Sequence, residues 1–292
     1  MAIDVHKSCE GTQARYNNPE KGDRPLCTDY GWGGVLAAST TILVASHKPY
    51  WMPSDPLYLP VQVGAAQHDH IEGFAHDDEG DNISSKNPRY CELTALWWGW
   101  RNLSCDWLGL VHYRRHFAGS GERGFLSSAD AERLVSNGDV VVAKARNYYI
   151  ETIESHYMHT FDQDGSQLAA LRKGVHDVSP ARVATLEEHL AQRKGHMFNM
   201  LIMPRDVLDA YCTWLFDVLE ATESYLDFSQ MNDFHARCVG RLGERCLDVW
   251  LKSEGVPVQE VRVKNPEKTN WVKKGGDFLA AKFFGKRYES SF

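Results

Sequence analysis

Hydrophobic positions along this chain fall into short runs separated by polar, Gly- and Pro-containing stretches, and the runs alternate between strand-like and helix-like spacing. Thr41–Ala45 is the first convincing strand, closed by Ser46-His47-Lys48-Pro49; Tyr58–Val63 is the second, bounded by Pro56 and Gly64. Asn87-Pro88 then carries helix-start chemistry, with Asn as the cap and Pro at the first helical position, where its missing N–H costs nothing. The helix that follows places Tyr90, Leu93, Leu96, Trp97 and Trp100 on one stripe, widened by Cys91, Ala95 and Trp98, so it should be buried on most sides. Glu92 within it becomes a shielded carboxylate, expected to meet Arg89, another packed cation, or a ligand.

The next run, Trp107–Val111, is apolar at every position, as in a strand buried on both faces, and it delivers His112-Tyr113-Arg114-Arg115-His116 at its carboxyl end. Ser127–Asn137 reads as a short helix stopped by Gly138, and Asp139–Lys144 as a strand. His196–Met203 reads as a further buried strand. Asp206 opens an amphipathic helix whose core face is Val207, Leu208, Tyr211, Leu215, Val218 and Leu219, leaving Asp217 solvated. A last helix over Arg241–Ser253 puts Glu244 in its first turn, where the helix dipole favours a carboxylate. The alternation of strands and helices is that of an α/β protein.

Composition narrows the function. The 292 residues are 43% hydrophobic, enough for a sizeable core, and the net charge of -7 argues against a nucleic-acid-binding protein, so any basic site must be local. Seven cysteines, an odd number without C-x-x-C spacing, point to a reducing compartment. No apolar run has the length of a membrane span, and the first residues lack the apolar core of a signal peptide; a cytoplasmic protein is expected. Residues 1–40 read as an irregular extension and 41–262 as the main domain. Residues 263–292 form a basic amphipathic tail, with Lys264, Lys268, Lys273, Lys274, Lys282, Lys286 and Arg287 among aromatic residues. Such a tail can lie on an anionic membrane surface or pack on the domain.

In open α/β sheets ligands collect at the carboxyl ends of strands, so the cluster after Val111 is placed to meet an anion such as a nucleotide diphosphate; the alternative is a solvated edge. His68, His70, His76, Asp77, Asp78 and Asp81 are competent metal ligands, but their spacing matches no defined motif and suits a solvated loop equally. Asp162-Gln163-Asp164 has the letters of a D-x-D metal motif without an apolar strand before it. The Tyr- and His-rich segment 146–160 suits stacking against sugars or bases, or half-buried packing. Glu244 is either a helix-start residue or a general base.

The series Ser-His-Lys-Pro-Tyr (46–50), Leu-Pro-Val-Gln-Val-Gly (59–64), Gly-Asp-Asn-Ile-Ser-Ser-Lys-Asn (80–87), Tyr-Cys-Glu-Leu-Thr-Ala-Leu-Trp-Trp (90–98), Gly-Leu-Val-His-Tyr-Arg-Arg-His-Phe (109–117), Phe-Asn-Met-Leu-Ile-Met (198–203), Tyr-Cys-Thr-Trp-Leu-Phe-Asp-Val-Leu (211–219) and Gly-Glu-Arg-Cys-Leu-Asp-Val-Trp-Leu (243–251) resembles domain of unknown function 4422. That family occurs in bacterial capsule, exopolysaccharide and O-antigen biosynthesis and includes domains assigned as galactofuranosyltransferases. The resemblance covers about residue 42 onward. It implies a GT-A-like nucleotide-sugar-binding fold with a mixed central sheet flanked by helices. It also implies an inverting glycosyltransferase that uses a UDP-sugar and a glycan or lipid-linked glycan acceptor; the basic tail would give it peripheral contact with the inner membrane if it lies on the lipid surface.

By the same resemblance, Glu244 is the first choice of base, ahead of Glu92 and Asp217, while Arg114, Arg115 and His112 serve the departing diphosphate in place of a manganese or magnesium ion. Ser46, His47, Gln62, Asn82, Lys86, Asn87, Glu92 and Tyr113 line the donor side, and Tyr148, Tyr149, His196 and Asn199 the acceptor side. The alternatives are a metal-dependent hydrolase or phosphotransferase built on His68, His70, His76 and Asp81, and a carbohydrate-binding module without turnover.

Overall fold

A computed structural model describes residues 39–162, 164–229 and 231–267; the extension 1–38 and the tail from 268 onward lie outside the described residues. In chain order the strands are β1 (Thr40–Ser46), β2 (Tyr58–Gln62), β3 (Ala75–His76), β4 (Trp107–His112), β5 (His116–Phe117), β6 (Val140–Ala143), β7 (Arg146–Asn147), β8 (Lys194–Gly195), β9 (Leu201–Pro204), β10 (Val258–Val261) and β11 (Val263–Lys264). The helices are α1 (Asn87–Tyr90), α2 (Leu93–Asn102), α3 (Ser128–Val135), α4 (Ile153–Phe161), α5 (Ser166–Val178), α6 (Val183–Leu190), α7 (Arg205–Glu223), α8 (Asp233–Ala236) and α9 (Cys238–Glu254).

Among the described residues, seven strands form one sheet in the order β10-β6-β9-β4-β1-β2-β3. Pairing is parallel except that β9 runs antiparallel to both β4 and β6, so the expected mixed sheet is what the chain forms. Alternate residues of the central strands feed two cores, as the period-2 geometry of a strand requires. Leu43, Leu108, Leu110, Val142 and Leu201 face α2, α7 and α9, while Ile42, Val44, Val111, Val141 and Ile202 join Ala131 and Val135 of α3 on the other side. Gly99 of α2 makes the helix-sheet approach possible, since a Cβ there would lie 2.5 Å from Leu43 Cδ1. No helix among the described residues is long and apolar enough to cross a membrane.

Three local expectations are corrected. The helix beginning at Asn87-Pro88 is not continuous: Asn87 is its first residue rather than its cap, and Cys91, at φ 53°, separates α1 from α2. The Asn87 amide secures that break by donating to the Cys91 carbonyl (2.8 Å) and to Thr94 Oγ1 (3.2 Å). The strand expected over 196–203 shortens to β9, because Phe198 (φ 78°) and Asn199 (φ 52°) leave the extended region. Finally, α9 begins at Cys238, so Glu244 stands in its second turn and the first-turn dipole argument does not apply to it. The expected domain boundary falls between β10 and β11, and β11 pairs with β5, tying Val263 and Lys264 to Phe117 and His116.

Because β9 is reversed, its amino end meets the carboxyl ends of β1, β4 and β6 at one sheet edge. Register fixes the neighbours there: Ala45 pairs with His112, and the Tyr113 N–H donates to the Ala45 carbonyl at 3.1 Å. α9 closes the same edge from one side, its Gly240 passing so close to Tyr90 that a Cβ would lie 2.8 Å from the Tyr90 carbonyl oxygen.

Candidate active site

The chain turns sharply after β4. His112 and Arg115 exchange backbone hydrogen bonds (3.2 and 2.9 Å), so Tyr113 and Arg114 form the tip and Arg115 returns beside His112. The two arginines diverge from this turn. The Arg114 guanidinium lies over the Tyr113 ring (5.2 Å), which His47 meets edge-on (5.4 Å) and Tyr50 packs against (4.8 Å), with Lys48 Nζ 5.7 Å away. His47 feels this surplus of cations. Burial lowers its pKa, and Arg237, Lys48, Arg114 and His68 lower it further.

On the other side, Arg115 lies over the Phe198 ring at 4.4 Å. Burial lowers its pKa and Arg114 adds to this, while Glu244 and Glu92 oppose it. Glu92, 9% exposed, accepts a hydrogen bond from the Asn199 amide (2.7 Å) and lies 3.5 Å from His112 Nε2. Burial alone would raise the Glu92 pKa, yet the His112 ring and the Asn199 amide outweigh it and hold the carboxyl below its usual value. His112 Nε2 also lies 3.3 Å from the Phe198 carbonyl, which the left-handed turn at 198–199 presents to it. The Glu92 partner is therefore His112 and not Arg89, which pairs with Glu223 at 2.7 Å.

Glu244 is less enclosed, its side chain 18% exposed, and it accepts from Arg245 Nη1 at 2.8 Å. Arg245, 2% exposed, lies over Tyr157 (5.0 Å), and Arg241 sits between Phe161 and Phe234 (4.5 and 4.2 Å). Sequence reasoning missed Arg237, Arg241 and Arg245. Their i, i+4, i+8 spacing was the available signal, since it puts Arg241 and Arg245 on one face of α9 with Arg237 at its N-cap.

The structure thus brings together His47, His112, Tyr113, Arg114, Arg115, Glu92, Asn199 and Glu244. His116, in contrast, leaves the cationic cluster: it is fully buried beside Tyr58 and Phe125, and burial pushes its pKa down to about 4, so its ring is neutral. The remaining donor-side candidates hold loops. Ser46 Oγ donates to the Lys48 carbonyl (2.7 Å), and Gln62 both donates to the Asp69 carbonyl (2.9 Å) and accepts from the Ile71 N–H (2.7 Å). Asn82 donates to the carbonyls of Asp78 and Gly80, Lys86 pairs with Glu223 at 3.0 Å, and Asn87 holds the α1–α2 break. On the acceptor side, Tyr148 packs on His156 (4.3 Å), Tyr149 is 75% exposed, and His196 bonds Asp248 through Nδ1 and Glu260 through Nε2 (3.2 Å).

The candidate metal ligands other than His68 bond one another or neighbouring groups. Asp77, fully buried, accepts from the backbone N–H groups of Gly64 and Ala65 and from the hydroxyls of Ser84 and Thr94. His70 pairs with Asp78 (3.1 Å), His76 with Glu79 (3.2 Å), and Asp81 accepts from Trp97 and Arg101. Asp162 accepts from the N–H groups of Gln167 and Leu168 at the start of α5, a helix-capping role. Among the described residues, no three His, Cys, Asp or Glu side chains are grouped to hold a metal ion.

Comparison with known proteins agrees with this architecture. The family described as Domain of unknown function (DUF4422) matches residues 41–255. A solved apo structure of WbbM, a bifunctional glycosyltransferase, superposes with a TM-score of 0.70 at 26% identity, over 79% of this chain and 46% of that one. The chain spans about half the length of that solved chain. No curated protein matches it.

Proposed function

This chain belongs to the DUF4422 family, and from that membership and the chemistry of the β4 edge we propose that it is a glycosyltransferase acting in bacterial surface polysaccharide synthesis. The observation that carries the reading is the division of charge at the β4 turn. Arg114 and Lys48, with the His47 ring beside them, form a cationic rim suited to a diphosphate, and Arg115 feels both Arg114 and the carboxylates of Glu244 and Glu92. A nucleotide sugar, here a UDP-sugar with a galactose or galactofuranose unit, needs both halves.

In the proposed inverting step, Glu244 takes the proton of an acceptor hydroxyl as its oxygen attacks the anomeric carbon. The bond from that carbon to the β-phosphate oxygen breaks, and its electron pair leaves with the diphosphate, whose charge Arg114 and Lys48 neutralise while the neutral His47 ring can donate a hydrogen bond. Arg serves this well because its fork of donors matches phosphate oxygens and stays charged at every physiological pH. Glu92 is too enclosed to reach an acceptor; it positions His112 and the 198–199 turn instead. The side chains grouped with the Arg114 guanidinium are Tyr113, His47, Lys48 and Tyr50, the last donating to the Glu267 carboxylate (2.7 Å), and the proposed step is carried by the cations of this rim. The acceptor, a glycan or lipid-linked glycan, would approach from the Tyr148 and Glu244 side.

Calorimetric titration with UDP and UDP-sugars, with manganese and again in EDTA, tests this reading. Micromolar UDP binding that survives EDTA is the expected result. Binding that requires manganese would overturn the cation-only neutralisation, and no nucleotide binding under either condition would overturn the transferase assignment.

A further inference from the structure

The turn after β7 exposes two large apolar side chains that the proposed reaction does not use. Tyr149 is 75% and Ile150 70% exposed, although exposing them costs burial that most such side chains gain. The turn is built rather than loose. Tyr149 holds φ 60°, a region that bulky residues rarely adopt. The Asn147 side chain accepts the Tyr149 N–H (2.9 Å), the Tyr148 N–H donates to the Arg193 carbonyl (2.8 Å), and β7 pairs with β8 beneath it. Tyr148 fills the base, with Arg146 over its ring at 5.0 Å, so the next two residues are held outward.

Lys144 and Arg146 lead into this tip, and Arg193 and Lys194 lie on the β8 side that pairs with β7; all four are exposed. The acids in the same region are already engaged: Glu151 pairs with His156 and His159, and Glu260 accepts from the Ala145 N–H and lies against His196. An amphipathic aromatic beside an aliphatic residue, adjoining two strands that carry exposed basic residues, has the chemistry of an interfacial anchor. We propose that the Tyr149-Ile150 tip inserts into the headgroup region of an anionic phospholipid membrane, with Lys144, Arg146, Arg193 and Lys194 on the lipid phosphates. Charge complementarity favours this occupant over a glycan, because Ile150 offers no hydrogen bond to sugar hydroxyls. The tip rises at the sheet edge that holds the β4 turn, so docking would turn that edge toward the membrane. The inference does not depend on the transferase reading.

Cosedimentation of the full chain with vesicles tests it, comparing an equimolar mixture of phosphatidylcholine and phosphatidylglycerol with phosphatidylcholine alone. The wild-type chain should bind the anionic vesicles only, and less as salt rises. Tyr149→Gly combined with Ile150→Ser should lower the partition coefficient about tenfold. Glycine suits φ 60°, so this variant keeps the turn and should melt with the wild type. Lys144→Gln, Arg193→Gln and Lys194→Gln should each lower partition roughly fivefold. All variants retain residues 268–292, so binding that is unchanged in both sets would assign any membrane contact to another segment and overturn the proposal. Equal binding to both vesicle types, or none to either, would overturn it as well.

Discussion

Arg114 and Arg115 are adjacent in sequence and opposite in surroundings. Arg114 stands among His47, Lys48 and the rings of Tyr50 and Tyr113, where the field is positive and the side chains are partly open to solvent. Arg115, against Phe198, is drawn toward two carboxylates. A positive field with exposed donors binds an anion strongly, whereas a guanidinium already balanced by acids adds little net attraction for one. The difference teaches that a pair of like residues at a strand end is not one site. Under the proposed function the first arginine holds the diphosphate, and the second aligns the acidic half where the proton is taken.

The largest effect is expected on the acidic side. Glu244→Gln should lower transfer by about 10²–10⁴-fold, the range for loss of a general base, while UDP affinity measured by calorimetry stays near that of the wild type. Near-normal turnover would remove Glu244 from that role. The comparison itself is sharpened by treating the arginines alike. Arg114→Ala should weaken UDP binding about tenfold or more, as expected for loss of charge-assisted hydrogen bonds, whereas Arg115→Ala should act on turnover with a smaller change in UDP affinity. Equal losses of affinity in the two variants would break the division.

The smallest effect concerns the far end of the acidic half, where His196 joins Asp248 of α9 to Glu260 of β10. Burial lowers the His196 pKa, but the two carboxylates more than compensate and raise it above the ordinary value, while buried His189 beside them is pushed down to about 4 and stays neutral. A raised histidine pKa contributes stability that is complete below the unfolded value, near 6.5, and is lost as pH rises through the folded one. His196 therefore adds a fall in stability between about pH 6 and 8, opposite in sign to the burial-depressed His47, His116, His156 and His189. On going from about pH 6 to 8, the melting temperature of His196→Gln should shift upward relative to that of the wild type by about 2–4 °C. Identical pH dependence of melting in the variant and the wild type would place the titration elsewhere.

Much of the scaffold is legible in the amino-acid sequence. Thr41–Ala45, Trp107–Val111 and Asp139–Lys144 each overlap an observed strand, because each holds at least four successive residues without a polar side chain, the pattern of a strand buried on both faces, and that signal is local. The shielding of Glu92 follows likewise from the aromatic stripe around it. Its partner does not, since Asn199 lies 107 positions away. The break at Cys91 and the left-handed pair at Phe198 and Asn199 are illegible for a related reason: no glycine marks these positions, and contacts from elsewhere in the chain support their conformations.

The sequence by itself determined the alternation of strands and helices, the position of the basic cluster at a strand end, and the local character of any anion site on an acidic protein. Only the tertiary structure decided which charges face one another: it withdrew His116 into the core, turned Arg114 and Arg115 apart, and set Glu92 against His112. The physical reason is that periodicity records which face of an element is buried, whereas electrostatic pairing depends on register and helix approach, which are fixed by packing between distant segments.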